Sequence, residues 1–158
     1  MASIKSRWIS FGGTAAIVTS TSLIIGMDAA GSGWRSIVSA IAMFAVADNL
    51  TDSLSVHIYQ ESEGLESREA FFSTVANFFA RMSVAFTFMA MVITVPRRWL
   101  PISAAAWGLL LLVLLTYRLA RERAGKPIVK EICKHVWVAT AVIGLSRLMG
   151  MWIQQMLG

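Results

Sequence analysis

Residues 47–63 read ADNLTDSLSVHIYQESE. On a helix, steps of four, three and four bring Asp48, Asp52, Ser55 and Tyr59 to one face. Asn49, Ser53 and His57 fall on a neighbouring, drifting face. Two carboxylates one turn apart repel each other, and in a low dielectric they need a compensating charge. One arrangement supplies it with a mobile cation: Asp48 and Asp52 line its path, and Asn49, Ser55 and His57 add oxygen and nitrogen ligands. The other supplies it from within the chain, because Arg81 and Arg147 also fall inside apolar stretches, two bases for two acids. Beyond Tyr59, the residues Glu61, Glu63, Glu66 and Glu69 follow with only Arg68 of opposite sign. Convergent carboxylates suit hard divalent ions, although a solvated acidic helix end is the commoner meaning of such a run. Glu61 and Glu63 do not share a helical face, so convergence would need the helix to break at Gly64.

The elements that hold these residues are apolar. Of the 158 residues, 56 % are hydrophobic and 15 % charged, against roughly 25 % charged in ordinary soluble domains. Mean hydropathy is +0.65. A disordered chain, a collagen-like repeat and most water-soluble globules are excluded. The lone Cys133 has no partner for an internal disulfide. A membrane-crossing helix needs about 20 mostly apolar residues, and five stretches approach this: about 8–27, 34–60, 70–95, 99–117 and 136–157. The predicted fold is all-α, a single bundle of five transmembrane helices, with a short acidic cytoplasmic segment at 61–70. Stretches that carry charge are expected to face other helices rather than lipid. Lys5 and Arg7 ahead of the first stretch, with Ala29 and Ala30 after it, have the look of a signal peptide. Its apolar part is longer than a signal peptide's, so it is read as a span.

With the N-terminus in the cytoplasm, Lys5, Arg7, Arg68, Arg118, Arg121, Arg123, Lys126, Lys130 and Lys134 lie inside, and Arg35, Arg97 and Arg98 outside. This bias puts the C-terminus on the opposite side. Trp8, Trp34, Trp99, Trp137 and Trp152 sit near the ends of spans, as in an aromatic belt. The formal net charge of +5 is thus accounted for by topology and the anionic inner leaflet, with no nucleic-acid partner. His135 reads as an interfacial tip, and most methionines as flexible packing. Gly12, Ala16 and Ser20 form a small-residue stripe that fits close helix contact, internal or across a dimer axis. No nucleophile elbow, zinc-protease motif or phosphate loop occurs, so the chain is not read as an enzyme.

Three segments resemble the vacuolar iron transporter family. Residues 11–20, FGGTAAIVTS, resemble its FGxxDGxVST segment; residues 47–52, ADNLTD, resemble ADALSM; and residues 141–150, AVIGLSRLMG, are similar to its final-helix pattern. The resemblance implies a homodimer of five-helix subunits that exchanges Fe²⁺ or Mn²⁺ for protons along a path lined by the first two spans. Ala15 stands where the family has aspartate, and Asp52 where it has methionine. The family's glutamate-rich cytoplasmic domain is reduced to about 61–70. Asp48 and Arg147 occupy shared positions, which makes their pairing the expected structural contact.

The expected function is proton-coupled transport of a divalent metal ion in a multi-pass protein of the cell inner or plasma membrane. Asp48, Asp52, His57, Glu61, Glu63, Glu66 and Glu69 are its metal-ligand candidates, and Arg81 and Arg147 its structural ion-pair candidates. No cofactor is expected apart from the transported ion. The competing expectation is a non-transporting membrane scaffold or accessory subunit of the same fold, with Arg81 and Arg147 neutralising the two aspartates.

Overall fold

The computed structural model describes residues 4–62, 64, 67–122 and 128–158, with the side chains of 4–12, 67, 69, 70 and 122 left aside. Five helices follow one another: α1 (Ile4–Ala29), α2 (Trp34–Ser62), α3 (Ser67–Thr94), α4 (Leu100–Glu122) and α5 (Ile128–Leu157), with a 3-10 turn at Arg97–Trp99 before α4. There is no strand among the described residues. Four stretches are long and apolar enough to cross a membrane: Trp34–Ser62, Phe71–Thr94, Arg97–Arg121 and Ile128–Leu157. The apolar part of α1, Gly13–Ala29, is shorter. A helix satisfies its backbone internally, which is the requirement lipid imposes on any crossing segment.

Several helices outrun the spans read from hydropathy. α4 continues to Glu122 and α5 begins at Ile128, so most of the stretch between the expected spans 99–117 and 136–157 is helical. Arg118, Arg121, Lys130 and Lys134 end the apolar stretch without ending the helix, because charge is unfavourable in hydrocarbon but not in a solvated turn. Residues 123–127 lie outside the described residues.

The turns have identifiable causes. Gly31 adopts φ +78°. Its N–H donates to the Asp28 carbonyl at 3.0 Å, and the Ser32 N–H donates to the Met27 carbonyl at 2.9 Å. This is the pattern of a Schellman cap, and it needs a residue at ease in the left-handed region. Gly64, also at φ +78°, donates to the Glu61 carbonyl at 3.0 Å, so the chain turns where the sequence suggested a break. Between α3 and α4, Pro96 opens the 3-10 turn with φ −56° and ψ 138°. Beside it the Arg97 Nε donates to the Asp28 Oδ1 at 3.1 Å. Arg97 is mostly exposed, so Arg97→Ala should lower stability by less than about 1 kcal/mol in thermal unfolding.

α1 is the central helix and packs against each of the other four. α2 lies against α3 and α1, while α5 lies against α1 and α4. Ile24 of α1 joins Ile37, Ile41 and Ala45 of α2, Ala85, Phe88 and Val92 of α3, and Leu100 and Ala104 of α4 in the main apolar core. Ile17, Leu112 and Ala139 form a smaller cluster where α1, α4 and α5 meet. Ala16 and Ser20 are buried, so this part of the small-residue stripe serves contacts inside the bundle. Helices also approach closely at two other places. A Cβ built on Gly108 would collide with the Thr21 hydroxyl, and one on Gly150 would collide with the Gly26 carbonyl. Large apolar side chains point outward all round, including Leu50, Leu54, Phe79, Phe86, Leu110 and Leu145. That distribution suits a lipid solvent. Trp34, Trp99, Trp137 and Trp152 are exposed as well, consistent with a belt.

Candidate functional site

The α2–α3 contact is an antiparallel seam with two halves. On α2 the buried positions are Ile37, Ile41, Ala45, Asn49, Ser53, Val56 and Gln60. On α3 the buried positions include Ser73, Asn77, Arg81, Ala85, Phe88 and Val92. Both helices therefore change from apolar to polar along the same face. Two hydrogen-bonded pairs fix the register: the Arg81 Nε donates to the Asn49 Oδ1, and the Gln60 Nε2 donates to the Ser73 Oγ at 3.1 Å. Between these pairs, Ser53 and Asn77 stand at the same level.

Arg81 is the largest fully buried side chain among the described residues, at 1 % relative exposure. Its Nη1 donates to the Asp52 Oδ2 and its Nη2 to the Asp48 Oδ2. With Nε on Asn49, the three guanidinium nitrogens are all engaged by residues of one helix. This works because Asp48, Asn49 and Asp52 occur at i, i+1 and i+4, so two carboxylates one turn apart flank the amide. The flat guanidinium fork matches that spread. The aspartates are only part-buried, with 33 % and 39 % of their side chains exposed. Asp48 lies about 21 Å along α2 from Trp34 and Asp52 about 27 Å, at 1.5 Å per residue. The cluster thus sits in the central third of a helix about 43 Å long.

The arrangement corrects the expected pairing. Arg147 is exposed on α5 and, among the described residues, belongs to no ion pair. α5 packs on the α1–α4 side of the bundle, away from the aspartates. Arg147 is ten residues, about 15 Å, from the end of α5. Charge within a stretch therefore did not turn α5 inward. Two acids meet one base, and the internal count is one negative charge in excess.

Of the remaining metal-ligand candidates, the described His57 and Glu61 lie against each other rather than in this cluster. Ser55 donates back to the Thr51 carbonyl at 3.0 Å, and Tyr59 is exposed. His57 is part-buried, with its Nε2 3.4 Å from the Glu61 Oε1 one turn on. Glu63 and Glu66 lie outside the described residues, and Glu69 is on α3 with its side chain outside the description. Among the described residues, no group of three or more His, Cys, Asp or Glu side chains could hold a metal ion. His135 places its Nδ1 2.8 Å from the Glu131 carbonyl, a local contact within α5.

Reading the sequence picked out Arg81 but missed the polar row to which it belongs. Ser73, Asn77 and Arg81 recur at intervals of four on α3, opposite Asn49 and Ser53 on α2. That shared spacing was the available signal. No family model matches the chain, nor does any curated protein or solved structure.

Proposed function

We propose that the protein is a multi-pass membrane carrier in which a proton and a cation exchange at the Asp48–Arg81–Asp52 cluster. The observation that supports this most is the charge count: two carboxylates and one guanidinium within the apolar lengths of α2 and α3 leave one negative charge uncompensated. An uncompensated ion in hydrocarbon is costly, so a further positive charge belongs to the working state. The partial exposure of both aspartates puts that charge within reach of an exchanging species. A divalent metal ion, Fe²⁺ or Mn²⁺, is the cargo implied by the resemblance of residues 11–20, 47–52 and 141–150. The same resemblance implies five crossings and a second copy of the chain completing the path, and the Lys and Arg flanks favour a cytoplasmic N-terminus. The inner or plasma membrane of the cell is the corresponding location.

The test is uptake of Mn²⁺ into proteoliposomes across an imposed pH gradient. Wild-type protein should exceed empty liposomes, and Asp52→Asn should fall to their level. Equal flux from both proteins would sink the carboxylate mechanism.

A second reading, the scaffold or accessory subunit, is favoured by the clasp itself. Both aspartates are already held by Arg81, and a permanently bound proton would complete the balance. It expects Asp48→Asn to impair assembly, no stoichiometric metal binding, and no flux from wild type.

A further inference from the structure

Six buried side-chain nitrogen or oxygen atoms lack a hydrogen-bond partner among the described residues, and five of them belong to α2 and α3: Asn49 Nδ2, Ser53 Oγ, His57 Nδ1, Thr74 Oγ1 and Asn77 Oδ1. The sixth, Ser22 Oγ, is on α1. Asn49 and Asn77 are each 1 % exposed and Ser53 is 5 % exposed. An unpaired buried polar atom is costly, and Asn49, Ser53 and Asn77 line the buried face of the seam, so they need a common partner. That partner must both donate and accept. The Asn49 amide nitrogen only donates, the Asn77 amide oxygen only accepts, and the hydroxyls of Ser53 and Thr74 do either. Water meets all of these demands, and a buried water needs two to four such contacts.

We propose that the polar half of the α2–α3 seam holds a file of water running from the Gln60–Ser73 end to the Arg81 cluster. Its inner limit is the rung of Ala45 and Ala85, beyond which Ile41, Phe88, Ile37 and Val92 close the seam with apolar side chains. The file is therefore one-sided. Its other end is the buried Gln60–Ser73 pair, on the part of α2 that carries His57 and Glu61, the cytoplasmic side in the orientation proposed above. The inference deepens the carrier reading by supplying a proton route to Asp48 and Asp52. It stands on different observations, the orphaned atoms rather than the charge count.

Accessibility to a small water-borne ion tests it directly. In a Cys133→Ser background, single cysteines replace Ser53, Asn77, Ala45 and Ala85 in membrane vesicles. Each protein is exposed to Ag⁺ and then denatured and alkylated. Ser53→Cys and Asn77→Cys should lose later alkylation, while Ala45→Cys and Ala85→Cys should keep it. Four thiols of equal reactivity would overturn the proposal. Should a seam cysteine prevent folding, deuterium uptake of the wild-type protein in lipid discs decides. Uptake at 49–60 and 73–81, with protection at 37–45 and 85–92, supports the file, and uniform protection overturns it. A reachable seam in a protein without Mn²⁺ flux would defeat the carrier and leave the file standing. Flux through a dry seam would do the reverse.

Discussion

Arg81→Gln should lower stability by roughly 3–5 kcal/mol, the range seen when one partner of a buried ion pair is removed. The substitution keeps most of the side-chain volume and deletes the charge. Asp48 and Asp52 are then left one turn apart with no neutralising group, and the Asn49 Oδ1 loses its donor. Unfolding in detergent, followed by loss of helical circular dichroism against denaturant, measures the effect. Arg81→Lys should be intermediate, because an ammonium carries the charge but cannot span three acceptors as the fork does. Adding Asp48→Asn and Asp52→Asn to Arg81→Gln should recover part of the loss, since the penalty comes from stranded charge rather than from missing volume. An Arg81→Gln protein as stable as wild type would show that the clasp contributes nothing.

The second large effect belongs to the opposite side of the bundle. Gly150→Ala should cost about 1–3 kcal/mol by overpacking, although alanine is the better helix former. The added methyl group would meet the Gly26 carbonyl and the Ala29 Cβ. The carbonyl is backbone, so relief requires α5 to move away from α1. Gly144→Ala is the matched control on the same helix: nothing lies within 4 Å of its Cβ, and it should be neutral or slightly stabilising. The same unfolding measurement separates the two. Equal behaviour would mean that the α1–α5 contact is not held by close backbone approach.

The helices were legible because hydrophobic length and backbone satisfaction in lipid leave few alternatives. Their ends were not. Arg118 and Lys134 mark where hydrocarbon stops, whereas Glu122 and Ile128 mark where the helix stops, and hydropathy reports only the former. Asp48, Asp52 and Arg81 were legible as charges in apolar surroundings that must find partners. Which acid met which base was not, because the α5 sequence does not reveal that its neighbours are α1 and α4. Arg147 and Arg81 look alike in a hydropathy window, yet one is exposed and the other is 1 % exposed. The Ser73–Asn77–Arg81 row would have distinguished them, since a polar stripe on one helix calls for a polar stripe on another.

Arg81 is gripped three times by a single neighbour, and the grip is flanked by the Gln60–Ser73 bond on one side and the Ala45–Phe88 packing on the other. Helices joined in this way travel as one rigid body. Any rearrangement of the protein must therefore carry the α2–α3 hairpin whole. The sliding then falls at the faces the hairpin shares with α1, where α1 packs against α2 and α3.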